Sequence, residues 1–205
     1  MRDLRVLGIA GSLRERSSCQ MALEYAMGLL ERAGCETGIF DLRHADLPFC
    51  NGNPDEQERL FGSVADLRRS VSEAQALVLV TPEYHGAISG VLKNTLDLLD
   101  ARHLKGKVAG VVSVLGGGPN SNAWNDLSRI LRSCDAWVSP HHVAIGHASR
   151  AFTDGQICDE DLRFRFDEFT DTLAQSALRL SGFWQGPHKS VIRLARVAAA
   201  HAASR

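Results

Sequence analysis

The sequence predicts an α/β protein: a doubly wound sheet of five parallel strands with helices on both faces, three layers in all. Three observations carry that prediction. Short apolar runs alternate five times with longer amphipathic stretches. The run ALVLVT at residues 76–81 is apolar without interruption, as a parallel strand covered on both faces requires. No repeat period or break in composition divides the chain, and 205 residues suffice to bury one core.

The elements follow in order. Residues 4–10 read as a short buried strand. A helix is expected over 18–33, with Met21, Tyr25, Leu29 and Leu30 on one face and Gly34 as its stop. Residues 36–41 form a second, weaker strand, and 42–54 a loop punctuated by Pro48, Gly52 and Pro54. One helix then begins near Asp55, with Asp55, Glu56 and Glu58 early and Arg68 and Arg69 late, the polarity a helix dipole favours. Residues 76–81 are the third strand, broken by Pro82. Ser89 can cap a helix over 90–101, with Val91, Leu92, Thr95, Leu96 and Leu99 at helical spacing. A fourth strand covers 108–114. Gly116, Gly117, Gly118 and Pro119 lead into a helix over 122–133. A fifth strand spans 136–145, and 159–180 is a long amphipathic helix. Residues 1–182 thus make one domain, and 183–205 a basic C-terminal extension. In that extension 188–203 read as a short helix carrying Lys189, Arg193 and Arg196.

Composition excludes several classes. With 23 basic and 24 acidic residues, the net charge of −1 gives no field for nucleic acid. The start, MRDLRVLGIAGSL, lacks the pattern of a secretory signal, and no apolar stretch is long enough to span a bilayer. A cytoplasmic protein without integral membrane association is expected. The five cysteines, at 19, 35, 50, 134 and 158, form no C-x-x-C pair and are expected to be reduced.

In doubly wound sheets ligands bind beyond the carboxyl ends of the strands, where the strand order reverses. Three loops there look chemical: residues 11–19, 82–89 and 115–121. In GIAGSLRERSS, Gly11 allows a tight turn, Ser12, Ser17 and Ser18 offer hydroxyls, and Arg14 offers a fork suited to phosphate. A following helix N-terminus would add free N–H groups. The loop reads either as a phosphate cradle or as a polar loop in which Ser17 or Ser18 caps a helix. It matches neither G-x-G-x-x-G nor G-x-x-x-x-G-K-S/T. In the second loop, Pro82, Gly86 and Gly90 fix the backbone, and Tyr84 either offers a flat surface to a ligand or packs on its neighbours.

Together, GSLRERSS and TPEYHGAISGVLKN closely resemble the two motifs of the NAD(P)H-dependent FMN reductase family, a branch of the flavodoxin-like superfamily that includes flavin, quinone, azo-dye and chromate reductases. The likeness runs from Leu4 to about Leu180. It implies a flavodoxin-like fold with strand order 2-1-3-4-5, FMN as cofactor and NADPH or NADH as donor. It places Ser12, Arg14, Ser17, Ser18 and Cys19 on the FMN phosphate. Pro82, Glu83, Tyr84 and His85 lie along the ribityl chain and ring, and Ser113, Gly116 and Gly117 at the pyrimidine edge. Cys19 and His85 stand where the family usually has Asn. The implied activity is hydride transfer from NAD(P)H to flavin, then reduction of a small-molecule acceptor such as free flavin or a quinone. No catalytic acid or base is assigned, because the chemistry is the cofactor's. A homodimer or homotetramer is implied as well.

Other readings are weaker. His141 and His142 are adjacent strand residues that would point to opposite faces, so no metal site is assigned. His44, His103 and His147 lack ligand-like partners. Ser113 is not in the G-x-S-x-G context of a hydrolase. Acidic neighbours disfavour a thiolate at Cys158. A flavodoxin-type electron carrier would be strongly acidic, with no arginine in its phosphate loop. A flavin-binding sensor would bind FMN without turnover.

Overall fold

A computed structural model describes residues 4–153 and 155–181. The expected basic extension, 183–205, lies outside the described residues. In chain order the elements are β1 (Arg5–Ala10), α1 (Ser18–Arg32), β2 (Glu36–Ile39), α2 (Pro54–Leu60), α3 (Gly62–Glu73), β3 (Ala76–Tyr84), β4 (Ala87–Ile88), α4 (Gly90–Asp97), α5 (Ala101–Leu104), β5 (Val108–Val114), α6 (Asn122–Ser133), β6 (Trp137–Val138), β7 (Val143–Ile145), α7 (Ala148–Ala151), β8 (Phe152–Thr153), β9 (Gln156–Ile157) and α8 (Glu160–Ser181).

The sheet runs β2-β1-β3-β5, with β6 and β7 in succession on the far side of β5. All these pairings are parallel, in registers such as Val6↔Ala76, Ala76↔Val108, Val108↔Trp137 and Val112↔Val143. Counting β6 and β7 as one interrupted strand, the order is the expected 2-1-3-4-5. Alternation along β3 divides the core into two. Ala76, Val78 and Val80 pack with α1 and α8, while Leu77 and Leu79 pack with α3, α4 and α6. The result is the three-layer flavodoxin-like α/β architecture.

Five local expectations need correction. The helix expected from Asp55 is two helices, broken at Phe61, whose backbone is extended at φ −125° and ψ 111°. The break lets the Arg68 guanidinium donate to Asp55 (2.9 Å) and Glu58 (2.6 Å). In a continuous helix, ten residues between Glu58 and Arg68 would separate them by about 15 Å. Pro82 does not end β3, which continues to Tyr84 with Pro82 opposite Val114; proline removes a donor without forbidding extended backbone. The helix over 90–101 ends at Asp97. Asp100 then turns extended and caps α5, accepting from the Arg102 N–H at 2.7 Å. The fifth strand is interrupted at residues 139–142, around Pro140, so His141 and His142 are not strand residues. His142 instead stacks on Trp124, ring centroids 4.6 Å apart. The short α7 and the β8–β9 hairpin carry no helical or alternating pattern long enough to read from sequence.

Candidate functional site

The three loops leave the carboxyl ends of β1, β3 and β5 and are bound to one another. Gly11 begins the first. Its N–H donates to the Val80 carbonyl at 2.7 Å, and a Cβ there would lie 2.6 Å from Ser89 Oγ and 2.8 Å from Leu92 Cβ. Only glycine lets this loop press against the start of α4. Ser17 is the N-cap of α1: buried, its Oγ accepts from the Gln20 N–H at 3.2 Å. Ser18 Oγ donates to the Ala148 carbonyl at 3.3 Å, tying α1 to α7. Ser12 is buried as well. Arg14 is exposed, with no hydrogen bond or ion pair to any described residue. Cys19 is buried, and burial pushes its thiol up to about 12, against the opposing pull of the Arg14 charge. Its side chain is therefore a neutral core group, and the backbone of that turn is what it offers a ligand.

The second loop is a two-residue hairpin between β3 and β4, paired Glu83↔Ile88 and Tyr84↔Ala87. Its corner residues, His85 and Gly86, have φ of +53° and +77°. Two consecutive positive φ values are what a type I′ turn requires, and Asn-Gly is its favoured pair. His is also enriched in the left-handed region, so His85 serves the backbone where the family usually has Asn. Tyr84 is 52% exposed, so about half of its surface is open to a ligand.

Glu83 joins the second loop to the third. Its carboxylate accepts from Asn120 Nδ2 (2.8 Å), Asn122 Nδ2 (3.3 Å) and the Ala123 N–H (3.3 Å), the last at the positive end of α6. The Glu83 side chain is thus engaged within the protein, and Pro82 beside it is buried. Asn120 and Asn122 were not among the expected site residues. Their signal was the amide-rich NSN that follows the glycine run and Pro119.

Gly116, Gly117 and Gly118 are exposed, and a Cβ on any of them would meet nothing within 4 Å. Below them Ser113 is buried, its hydroxyl without a partner, an arrangement usually explained by a ligand or an ordered water. The residues therefore fit a phosphate ester carrying a flat heteroaromatic group. There is a capped helix N-terminus with an unpaired arginine at one end. An open glycine backbone over an unsatisfied hydroxyl stands at the other, and a half-exposed tyrosine lies between them. No group of three or more His, Cys, Asp or Glu placed to hold a metal ion occurs among the described residues.

A family described as NADPH-dependent FMN reductase matches residues 4–150. The chain is 34% identical over 155 residues to the NADPH-dependent FMN reductase ArsH of Shigella flexneri, covering 73% of this chain and 58% of that protein. It is 37% identical over 111 residues to an NADPH azoreductase of a Bacillus species, covering 54% and 61%. The chain thus spans about three fifths of the length of these two relatives. Among solved structures it is similar to FerB, a flavoenzyme NAD(P)H:(acceptor) oxidoreductase from Paracoccus denitrificans. The TM-score is 0.73 and the identity 24%, over 86% of this chain and 98% of that one. This last likeness concerns the fold.

Proposed function

The chain belongs to the NADPH-dependent FMN reductase family, and on that premise we propose that it is an FMN-dependent NAD(P)H oxidoreductase acting on a small-molecule acceptor. The observation that carries the reading is the unpaired Arg14 beside the capped start of α1, set across from the open Gly116–Gly118 backbone. Arg14, Ser12, Ser18 and the N–H groups opening α1 would hold the phosphate. The hairpin backbone at 82–86 and Tyr84 would line the ribityl chain and ring. Ser113, Gly116 and Gly117 would meet the polar edge of the ring. FMN, when bound, would supply the redox chemistry, a two-electron exchange between a reduced nicotinamide and the acceptor. The residues of the three loops would hold the ring and so contribute proximity between donor, flavin and acceptor. Glu83, spent on Asn120, Asn122 and Ala123, keeps two of the loops from moving apart.

The acceptor is read as free flavin, a quinone or an azo compound, reduced in the cytoplasm, where NAD(P)H is supplied. Phe49 is 87% exposed and Leu60 68% exposed, which supports association of copies of the chain; sedimentation velocity would show a dimer or tetramer, and a monomer would remove that part of the reading. The activity is tested by titrating the apoprotein with FMN and riboflavin and then following NADPH and NADH oxidation with quinones, azo dyes and added flavin. Tighter binding of FMN together with two-electron turnover is expected. FMN binding without turnover would leave a carrier or sensor.

A further inference from the structure

The base of the sheet, at the opposite end from the three loops, holds an amine that the reductase reading does not use. Lys107 directly precedes β5, and its side chain crosses to the end of α3. There its Nζ donates to the Ser72 carbonyl at 3.1 Å and to the Ala74 carbonyl. The last carbonyls of a helix lack partners within it, so Lys107 serves α3 as a cap brought in from the start of a strand.

Lys107 differs from the two other lysines among the described residues. Lys93 is paired with Asp97 at 2.6 Å, and Lys105 with Asp135 at 3.5 Å. No carboxylate of a described residue lies within 4 Å of the Lys107 amine. Glu73, between Ser72 and Ala74, stands 3.6 Å from Arg5 instead. Two neutral carbonyls supply one acceptor for each hydrogen of an uncharged amine. The remaining position on nitrogen is a third N–H in the ammonium ion and a lone pair in the free base. It has no partner among the described residues. The residue is half-buried, so a small reagent can still reach it. Burial without a countercharge lowers the amine to about 8. At pH 8 roughly half of it is free base, about a hundred times the fraction in an ordinary lysine.

We propose that Lys107 is a modification site, acylated by small acyl thioesters ahead of Lys93 and Lys105. The lone pair of the free amine attacks the thioester carbonyl carbon. The C–N bond forms as the C–S bond breaks, the sulfur leaves with the bonding pair as a thiolate, and the proton shed by nitrogen passes to solvent. The product amide is uncharged and keeps one N–H. One of the two carbonyls therefore loses its donor, and the C-terminal end of α3 loses its cation. Acylation thus weakens the clasp between α3 and β5, at the end of the sheet away from the candidate site.

The test incubates the full-length protein with acetyl-coenzyme A and follows each lysine by peptide mass spectrometry. At pH 8, Lys107 is expected to be acetylated at least about tenfold faster than Lys93 and Lys105. Its rate should rise with pH up to about 8 and then level off. The acetylated protein should melt about 3–8 °C lower. Lys107→Arg keeps the charge and the donors but takes no acyl group, so the same treatment should leave its melting temperature in place. Equal labelling of the three lysines, or labelling of Lys107 only in protein unfolded by urea, overturns the proposal. So does a Lys107 rate that still climbs between about pH 9 and 10, where an ordinary lysine titrates.

Discussion

At position 85 the backbone decides which residue is tolerated. The corner of the β3–β4 hairpin needs φ near +53°, a conformation that Asn, Asp and His visit and β-branched residues avoid. His85→Asn should keep the stability of the parent. His85→Val should lose about 1–2 kcal/mol, the cost of forcing such a side chain into the left-handed region; urea unfolding of the two variants makes the comparison. Arg14 is the opposite case, a residue whose side chain matters and whose fold contribution is small. It is exposed and free of internal partners. Arg14→Ala should weaken FMN binding about ten- to a hundredfold, since a charge-assisted bond to phosphate contributes about 1.5–3 kcal/mol. Riboflavin, without a phosphate, should bind the variant and the parent alike. An unchanged FMN dissociation constant would assign the phosphate to the serines and the α1 amides alone.

At the scale of elements, the break between α2 and α3 shows how a charge pattern can be read correctly in sign and wrongly in purpose. Acidic residues early and basic residues late suit one helix with its dipole. The structure uses them instead to hold two helices folded back on each other, around an Arg68 side chain only 2% exposed. Removing the carboxylates should then hurt more than removing the cation. The double variant Asp55→Asn, Glu58→Gln leaves a buried charge unpaired and should cost about 3 kcal/mol, whereas Arg68→Met removes the charge and should cost less. Chemical denaturation of both variants checks the order. The far end of α3 carries a pH signal. Lys107 donates to the Ser72 carbonyl at 3.1 Å and to the Ala74 carbonyl, and burial lowers its amine to about 8. The unfolded value is about 10.4. Between these two values the unfolded chain binds more protons than the folded one, so this group's contribution makes stability rise with pH from about 8 to about 10. Urea midpoints measured across that range should rise in the parent relative to Lys107→Met. Parallel curves would show that the amine titrates normally.

At the scale of the molecule, the site is a rim assembled from three separate crossovers, so a ligand bound across it stabilises the whole fold. FMN at about a hundredfold its Kd should add about 2.7 kcal/mol. For a chain of this size that raises Tm by roughly 5–10 °C. Riboflavin at the same concentration should raise it less, and thermal scanning compares the two. Much of this rim was legible in the chain. Gly11 stands at the strand end, and Ser17 at the helix start, that periodicity locates, whereas the His85-Gly86 corner lies past the expected end of its strand at residue 81. What sequence could not show is the fastening between loops. The partners of Glu83 are 37 to 40 residues away, and no local pattern pairs residues at that separation. The fifth strand failed for a simpler reason: its hydrophobic pattern continues through Pro140 although its pairing does not.

That interruption has a consequence at high concentration. The border of the sheet beyond β5 offers two residues of strand, then a stretch containing proline, then three more. Such a border is too short and too broken to template a strand from another molecule. The same proline that spoils the fifth strand as a continuous element therefore guards this side of the sheet against edge-to-edge aggregation.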